Sequence, residues 1–345
     1  MNHHAPSNST ASSARETVQT LHACNGGTPK THTNRSRREV LLAGAGAAAS
    51  SLLASGAVLA SSRPTEIRSP QPLQVSEKNT TLKKALKYGM ISAGTTVREK
   101  FEIAREAGFD GIEIDAPGGP NVDEVLKAKE ATGLQVPGVV DSVHWSKTLG
   151  DPDPEVRAAG VAGLLDAIEL CNQYGGSSVL LVPAVVNKNI AYDHAYERSQ
   201  VEIRKAIPRA KELGVKISFE NVWNNFLLSP MEAARYVDAF DSPTVGWHFD
   251  IGNIVNYGWP EQWIRILGHR INRLDVKGFS RTKRDNEGLW KGFGVEIGDG
   301  DSDWPKIMTA LDDIGYTGWI AAEVSGGDVT RLTDVAQRMD RVLAM

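Results

Sequence analysis

Cysteine is nearly absent: the 345-residue chain holds two, Cys24 and Cys171. Cys24 lies in an N-terminal region of different character, so the folded body keeps one thiol and no disulfide framework is expected. No CxxC or CxxH spacing occurs, which argues against a thiolate zinc site. GxGxxG and P-loop patterns are missing as well. The first strand-to-helix turn reads Ser92-Ala93-Gly94-Thr95-Thr96, and no nucleotide cofactor is expected. Positive charge is not in excess: 38 Lys and Arg stand against 42 Asp and Glu, a net charge of -4. A nucleic-acid binder would carry a basic stripe, so no nucleic-acid partner is expected. A membrane span needs about 20 strongly apolar residues. The one candidate run, from Val40 to Leu59, is diluted by Gly44, Gly46, Ser50, Ser51, Ser55 and Gly56, so no stable membrane anchor is expected.

What is present is an alternation. Short apolar runs at Tyr88 to Ile91, Gly111 to Asp115, Val136 to Ser142 and Ser178 to Val182 read as strands, and four more follow. These are Lys216 to Asn221, Val245 to Asp250, Ile271 to Lys277, and Trp319 to Val324. Between them Val97, Phe101, Ala104 and Ala107 keep helical spacing, as do Val161, Leu164, Ile168 and Cys171, and Leu332, Val335, Met339 and Val342 close the series. Gly108, Gly133, Gly175, Gly214 and Gly315 stand where helix C-termini are expected. Pro208 falls inside one helical pattern and predicts a kink there. Strands alternating with helices imply a parallel sheet with right-handed crossovers. Eight units imply closure into a (β/α)8 TIM barrel, one domain over residues 83–345.

Barrel chemistry collects where the strands end. The last four candidate strands each end in an acid: "KISFEN" with Glu220, "GWHFDIGN" with Asp250, "RLDVKG" with Asp275 and "WIAAEV" with Glu323. Alternate strand residues face the axis. Phe219, Phe249, Leu274, Val276, Ala322 and Val324 take the opposite parity, which turns all four acids inward at similar height. One such acid alone is more often a helix cap or a rim charge. Four together repel unless protonated or neutralised by a cation, and a hard divalent ion with oxygen ligands is the simplest remedy.

Ahead of the barrel, residues 1–33 are rich in Ser, Thr, Asn and His without an apolar period and read as disordered. The segment 34–61 carries Ser36-Arg37-Arg38-Glu39-Val40-Leu41, then a run of Ala, Gly, Ser and Leu, with Val58 and Ala60 at positions a signal peptidase favours. This resembles a twin-arginine export signal. The resemblance implies the twin-arginine export machinery as a partner and a periplasmic or extracellular location. Residues 62–82, with Pro64, Pro70 and Pro72, read as a linker.

The body, most specifically "GDGDSDWPKIMTALDDIGYTGWIAAEVSGG" from Gly298 to Gly327, resembles the xylose isomerase-like TIM barrels, the sugar phosphate isomerase/epimerase family. That family places metal-binding Glu, Asp, His and Glu on strands five to eight, which the resemblance carries to Glu220, Asp250, Asp275 and Glu323. Asp275 departs from the family's histidine and leaves an all-oxygen set, which favours manganese or magnesium as cofactor. Asn253 stands where the family often has the histidine of D-x-x-H. The resemblance gives Glu220 and Glu323 the catalytic exchange of a proton beside a carbonyl.

Around these acids, His144, Trp145 and Lys147 on the loop after the third strand, Asn221, Trp223, Asn253 and Lys277 are candidate substrate contacts. Lys277 shares the parity of Asp275 and is placed to neutralise the acids. His248 reads equally well as a core histidine, and the run Arg281, Lys283, Arg284 as a solvated face. Three functions stay open: a sugar isomerase or epimerase, a lyase acting on 3-keto-glycosides with the same base, and a carbohydrate-binding barrel without catalysis. Export favours an unphosphorylated carbohydrate. A homo-oligomer is left open.

Overall fold

The computed structural model describes residues 82–345. The expected disordered segment, the twin-arginine signal and nearly all of the linker lie outside the described residues. Among those described, no helix is long and apolar enough to cross a membrane.

Eight parallel strands close on themselves in sequence order. They are β1 (Lys83–Lys87), β2 (Gly111–Ala116), β3 (Val139–Asp141), β4 (Ser178–Leu181), β5 (Lys216–Glu220), β6 (Val245–Asp250), β7 (Ile271–Val276) and β8 (Trp319–Ala322). Helices α1 (Val97–Glu106), α2 (Val122–Thr132), α3 (Pro154–Gln173), α4 (Tyr192–Leu213) and α5 (Pro230–Asp238) follow the first five strands in turn. α6 (Ile251–Val255) and α7 (Pro260–Leu267) follow β6, α8 (Arg281–Glu287) and α9 (Trp304–Asp313) follow β7, and α10 (Val329–Leu343) closes the chain. The expected (β/α)8 barrel is the observed fold.

Local chemistry explains the element ends. Thr96 and Glu99 form a reciprocal capping box at the start of α1. Asp153 and Ser229 cap helices whose first residue is proline. All five glycines expected at helix ends take positive φ, between 66° and 94°. α4 runs through Pro208 without ending.

The first strand departs from expectation. Tyr88–Met90 is a 3-10 turn, and Ile91 makes only an isolated bridge to Gly327. The ladder belongs instead to Lys83–Lys87, which pairs with Gly111–Glu113 on one side and Trp319–Ala322 on the other. Three lysines hide this strand from an apolar count. Lys84 turns outward to Asp340 of α10, whereas Lys87 turns inward.

Strand parity sorts the two layers. Phe219 packs on Tyr236 and Phe240 at the α5 end, and Phe249 stacks on Trp263 of α7. These outward residues form the apolar layer between barrel and helices. The interior is polar. At its base Ser178 and Ser218 share a 2.9 Å hydrogen bond, and Asn272 donates to Ser218 at 3.0 Å. Arg273 closes the same end by donating to the Pro137 carbonyl and the Ser177 hydroxyl. Charged side chains occupy the opposite end.

Candidate active site at the carboxyl ends of the strands

β5, β6 and β7 and the residue after β8 bring Glu220, Asp250, Asp275 and Glu323 together. Each offers an oxygen within 4.8 Å of the others. Asp275 is completely buried, as is Asp250, and Glu220 nearly so. The Glu323 side chain is 42% exposed, so the cluster opens on its side. Asp250 serves twice. Its Oδ1 accepts from the Asn253 amide at 2.8 Å and caps α6, while Oδ2 remains in the cluster.

Two lysines enter among the acids. Lys277 Nζ lies 2.9 Å from Asp250 Oδ2 and 2.7 Å from Glu323 Oε2. Lys87 Nζ lies 2.5 Å from Glu113 Oε2 and 2.8 Å from Asp275 Oδ2. His248 Nε2 approaches Asp275 Oδ1 at 2.9 Å. Glu113, His248 and Asp275 form a second convergent group sharing one member with the first, and Lys87 is seated in it.

The acids divide by surroundings. Burial pushes the Glu220 carboxyl well up, and the neighbouring Glu323, Asp250 and Asp275 add to the push. Burial also raises Asp250, to about 7, against the pull of Lys277. Asp275 is buried too, yet His248 and Lys87 outweigh that burial and hold its carboxyl below the usual range. Glu323 is likewise held low, the pull of Lys277 overcoming the cost of desolvation. A carboxyl that retains its proton thus faces a carboxylate at the open side.

The residues present suit a hard divalent cation. All four donors are carboxylates, and the buried Asp250 Oδ2 and Asp275 Oδ2 are balanced by the Lys277 and Lys87 ammonium groups at 2.9 and 2.8 Å without an aligned hydrogen bond. A cation of the magnesium or manganese type would find four hard oxygen donors there.

The other expected contacts fall into two sets. Asn253 sits beside the acids, donating to the Asn221 carbonyl at 2.9 Å and to Glu220 Oε1 at 3.4 Å. Asn221 ties β5 to β6: its Nδ2 donates to the Asp250 carbonyl, and its Oδ1 accepts from Asp250 N and Trp247 Nε1. Trp223 donates from Nε1 to the Asn253 carbonyl at 3.0 Å. His144, Trp145 and Lys147 make no hydrogen bond or ion pair with the four acids. His144 is buried, accepts from the Val182 amide at 3.3 Å, and is lowered by burial to about 3, which keeps it neutral. Trp145 and Lys147 are exposed on the same loop.

The basic run is not a solvated face. Arg281 donates to the carbonyls of Val255 and Gly258, Arg284 to that of Asn256, and Lys283 to that of Gly294. The arginine bonds fasten α8 to the segment after β6, and Lys283 ties it to the end of the 3-10 turn Leu289–Phe293. Unpaired carbonyls there supply what a sequence count of charges does not show.

A family model described as a xylose isomerase-like TIM barrel matches residues 101–343. The chain is 24% identical over 245 residues to the L-ribulose-5-phosphate 3-epimerase UlaE of Escherichia coli, covering 66% of this chain and 82% of that one. The Salmonella typhi protein of the same name matches with the same identity and coverage. Among solved structures, a D-tagatose 3-epimerase-like protein superposes with a TM-score of 0.65 at 18% identity, covering 76% of this chain and 97% of the other. The 3-keto-D-glucoside 4-epimerase of Escherichia coli gives 0.64 at 17% identity, covering 76% and 100%.

Proposed function

Because the chain belongs to the xylose isomerase-like TIM barrel family, we propose that it is a sugar isomerase or epimerase that moves a proton at a carbon beside a carbonyl. The observation that carries this reading is the pair Glu220 and Glu323, on β5 and just past β8, in one four-acid cluster open at Glu323. The 24% identical relatives that are named as 3-epimerases support it.

Glu323 is placed to take the proton, since it is held ionised beside Lys277 and reaches the open side. Glu220 is placed to exchange a proton from the far side of the cluster, its carboxyl raised by burial and by the neighbouring acids. Such positioned acid–base pairs contribute about 10²–10⁴-fold each. Lys277, the cation beside Glu323, would hold a substrate oxygen as that oxygen gains charge. Asn253 holds Glu220 in place through its amide. A bound manganese or magnesium ion, held by Glu220, Asp250, Asp275 and Glu323, would supply the positive charge that stabilises the enediolate oxygens.

The substrate class follows from the N-terminal segment. Ser36-Arg37-Arg38 and the bland apolar run after it support export. Sugar phosphates are made and kept inside cells, so the substrate is an unphosphorylated carbohydrate. The test is deuterium uptake from solvent, read by mass spectrometry, across free ketoses, 3-keto-glycosides and L-ribulose 5-phosphate. Unphosphorylated members of the panel, free ketoses or 3-keto-glycosides, are expected to exchange with manganese-loaded protein, and Glu220→Gln and Glu323→Gln to lose exchange by at least 10²-fold. Full exchange in both glutamine variants would end this reading. Release of the aglycone from a 3-keto-glycoside would mark a lyase instead.

A further inference from the structure

The wall beside the acid cluster is built of rings, and one of them faces water. Trp290 is 61% exposed, although its indole lies 4.8 Å from that of Trp223. Trp223 also packs on Phe293 at 4.9 Å and on Phe279 at 5.7 Å. The wall begins at the cluster itself. Lys277 Nζ, which bridges Asp250 and Glu323, stands 5.5 Å from the Phe293 ring. At the other corner, Trp223 bonds to the carbonyl of Asn253, the residue that reaches Glu220. Ring contacts therefore link the residues beside the cluster to the exposed Trp290.

The exposed ring is not on a loose loop. Trp290 lies in the 3-10 segment Leu289–Phe293, and Ser280 donates to the Gly292 carbonyl at 2.8 Å. Lys283 Nζ donates to the Gly294 carbonyl at 2.8 Å. Gly292 fits so closely that a Cβ there would fall 2.5 Å from the Phe279 ring. Arg281 and Arg284 fasten the preceding helix to the β6 side. A bulky apolar ring held outward on anchored backbone is pre-organised for a partner, which lowers the entropy lost on binding.

We propose that Trp290, backed by Trp223 and Phe293, is a subsite that stacks a second ring of the substrate, so that the chain acts on glycosides whose sugar ring carries a keto group, in preference to single sugars. The inference rests on the proposed proton-transfer function and goes beyond it by naming the substrate class. The chemistry of the wall selects the occupant. The Trp223 N–H is already spent on a carbonyl, and phenylalanine offers no hydrogen bond. Apart from the Trp290 indole N–H, what remains is ring face, matched by the C–H face of a pyranose or by an aryl aglycone. The few rings involved fit one ring of a ligand that begins in the acid cluster, in keeping with small-molecule sites that combine aromatic walls with a few polar groups.

The experiment uses manganese-loaded protein and matched methyl and phenyl β-glycosides of glucose, galactose and xylose, with binding read by tryptophan fluorescence and calorimetry. A phenyl member is expected to bind about 10-fold more tightly than its methyl partner. Trp290→Ala is expected to erase that ratio, and Trp290→Phe to keep most of it. Because the indole is exposed, the variant is expected to match the parent in thermal melting, which separates stacking from misfolding. No phenyl preference in the parent, or an unchanged ratio in Trp290→Ala, would overturn the subsite. Deuterium exchange is scored separately. Exchange without a ring preference sinks the subsite alone, and a ring preference without exchange on any sugar sinks the proton-transfer reading alone.

Discussion

Lys277→Met tests the electrostatics of the cluster. The ammonium lies within 3 Å of Asp250 Oδ2 and Glu323 Oε2, and Asp250 has no access to water. Breaking a buried pair by removing one partner costs about 3–5 kcal/mol. The Glu323 contact deserves a discount, because that side chain is 42% exposed and is screened. Asp250 has an escape as well: it can take a proton, since burial already lifts its carboxyl to about 7. The expected loss is therefore about 2–3 kcal/mol at pH 8 and close to nothing at pH 5.5, where Asp250 is mostly protonated with or without the lysine. For a domain of this size that is a drop in Tm of about 5–10 °C at pH 8. The assay is calorimetry in chelator at both pH values, with methionine chosen to keep the apolar stem. Added manganese is expected to narrow the gap, because the ion and the ammonium neutralise the same two acids. Equal melting of variant and parent at pH 8 in chelator would refute the claim that Lys277 carries the charge balance of this site.

Three further outcomes are expected. Asp250 and Asp141 are both raised to about 7 by burial, so each contributes stability that is complete below pH 4 and lost as pH climbs to 7. The acids held low, Asp275 and Glu323, give a contribution that is constant above about pH 5. The chelated protein should thus melt lower at pH 8 than at pH 5, and a rising Tm over that range would contradict the assignment. Gly252→Ala would put a Cβ 2.4 Å from Lys277 Cγ and 2.7 Å from the Lys277 carbonyl, so manganese affinity by calorimetry should fall at least 10-fold. Phe219→Ala removes a fully buried ring that touches Tyr236, Phe240 and Trp247, and urea unfolding should show a loss of about 3–5 kcal/mol.

Sequence periodicity suffices for the barrel because most strands are buried on their outer face by a recognisable apolar set. Phe219, Phe249 and Leu274 mark the outer face, and Glu220, Asp250 and Asp275 then follow on the inner one. β1 shows where that logic fails. Its outward Lys84 pairs with Asp340 and its inward Lys87 with Glu113 and Asp275, so neither face reads as apolar. Placing the strand at Tyr88–Ile91 hides Lys87, which the inward parity of Ala85 and Lys87 would have exposed. His248 is ambiguous in sequence for a related reason: an inward histidine acquires meaning only from Asp275 on the adjacent strand. The arginines of α8 are misleading, since their partners are backbone carbonyls without a residue signature. Trp223 and Trp290 lie 67 positions apart, and only the closed barrel brings their rings together.

The acid on β7 has consequences for the whole interior. Glu113, Glu220, Asp250, Asp275 and Glu323 face two ammonium groups, Lys87 and Lys277, leaving three formal negative charges in excess when all are ionised. That excess cannot be held in a buried space without protons or a cation. The environment distributes the burden unevenly. Lys87 and His248 converge on Asp275 and keep it charged, whereas Glu220 receives no lysine at bonding distance and keeps its proton. A carboxylate on β7 is therefore tolerable because β1 supplies the Lys87 ammonium and β6 places the His248 imidazole 2.9 Å from it. Replacing Lys87 by an apolar residue should make Asp275 the group that takes up a proton, and the cluster would then lose the donor that sets it apart from a histidine-containing site. Proton release on manganese binding, counted by calorimetry in buffers of different ionisation enthalpy, reads this directly. The parent should release its protons mainly from Glu220 and Asp250, and the Lys87→Met protein should release more. An unchanged count would mean that Lys87 does not govern the charge of Asp275.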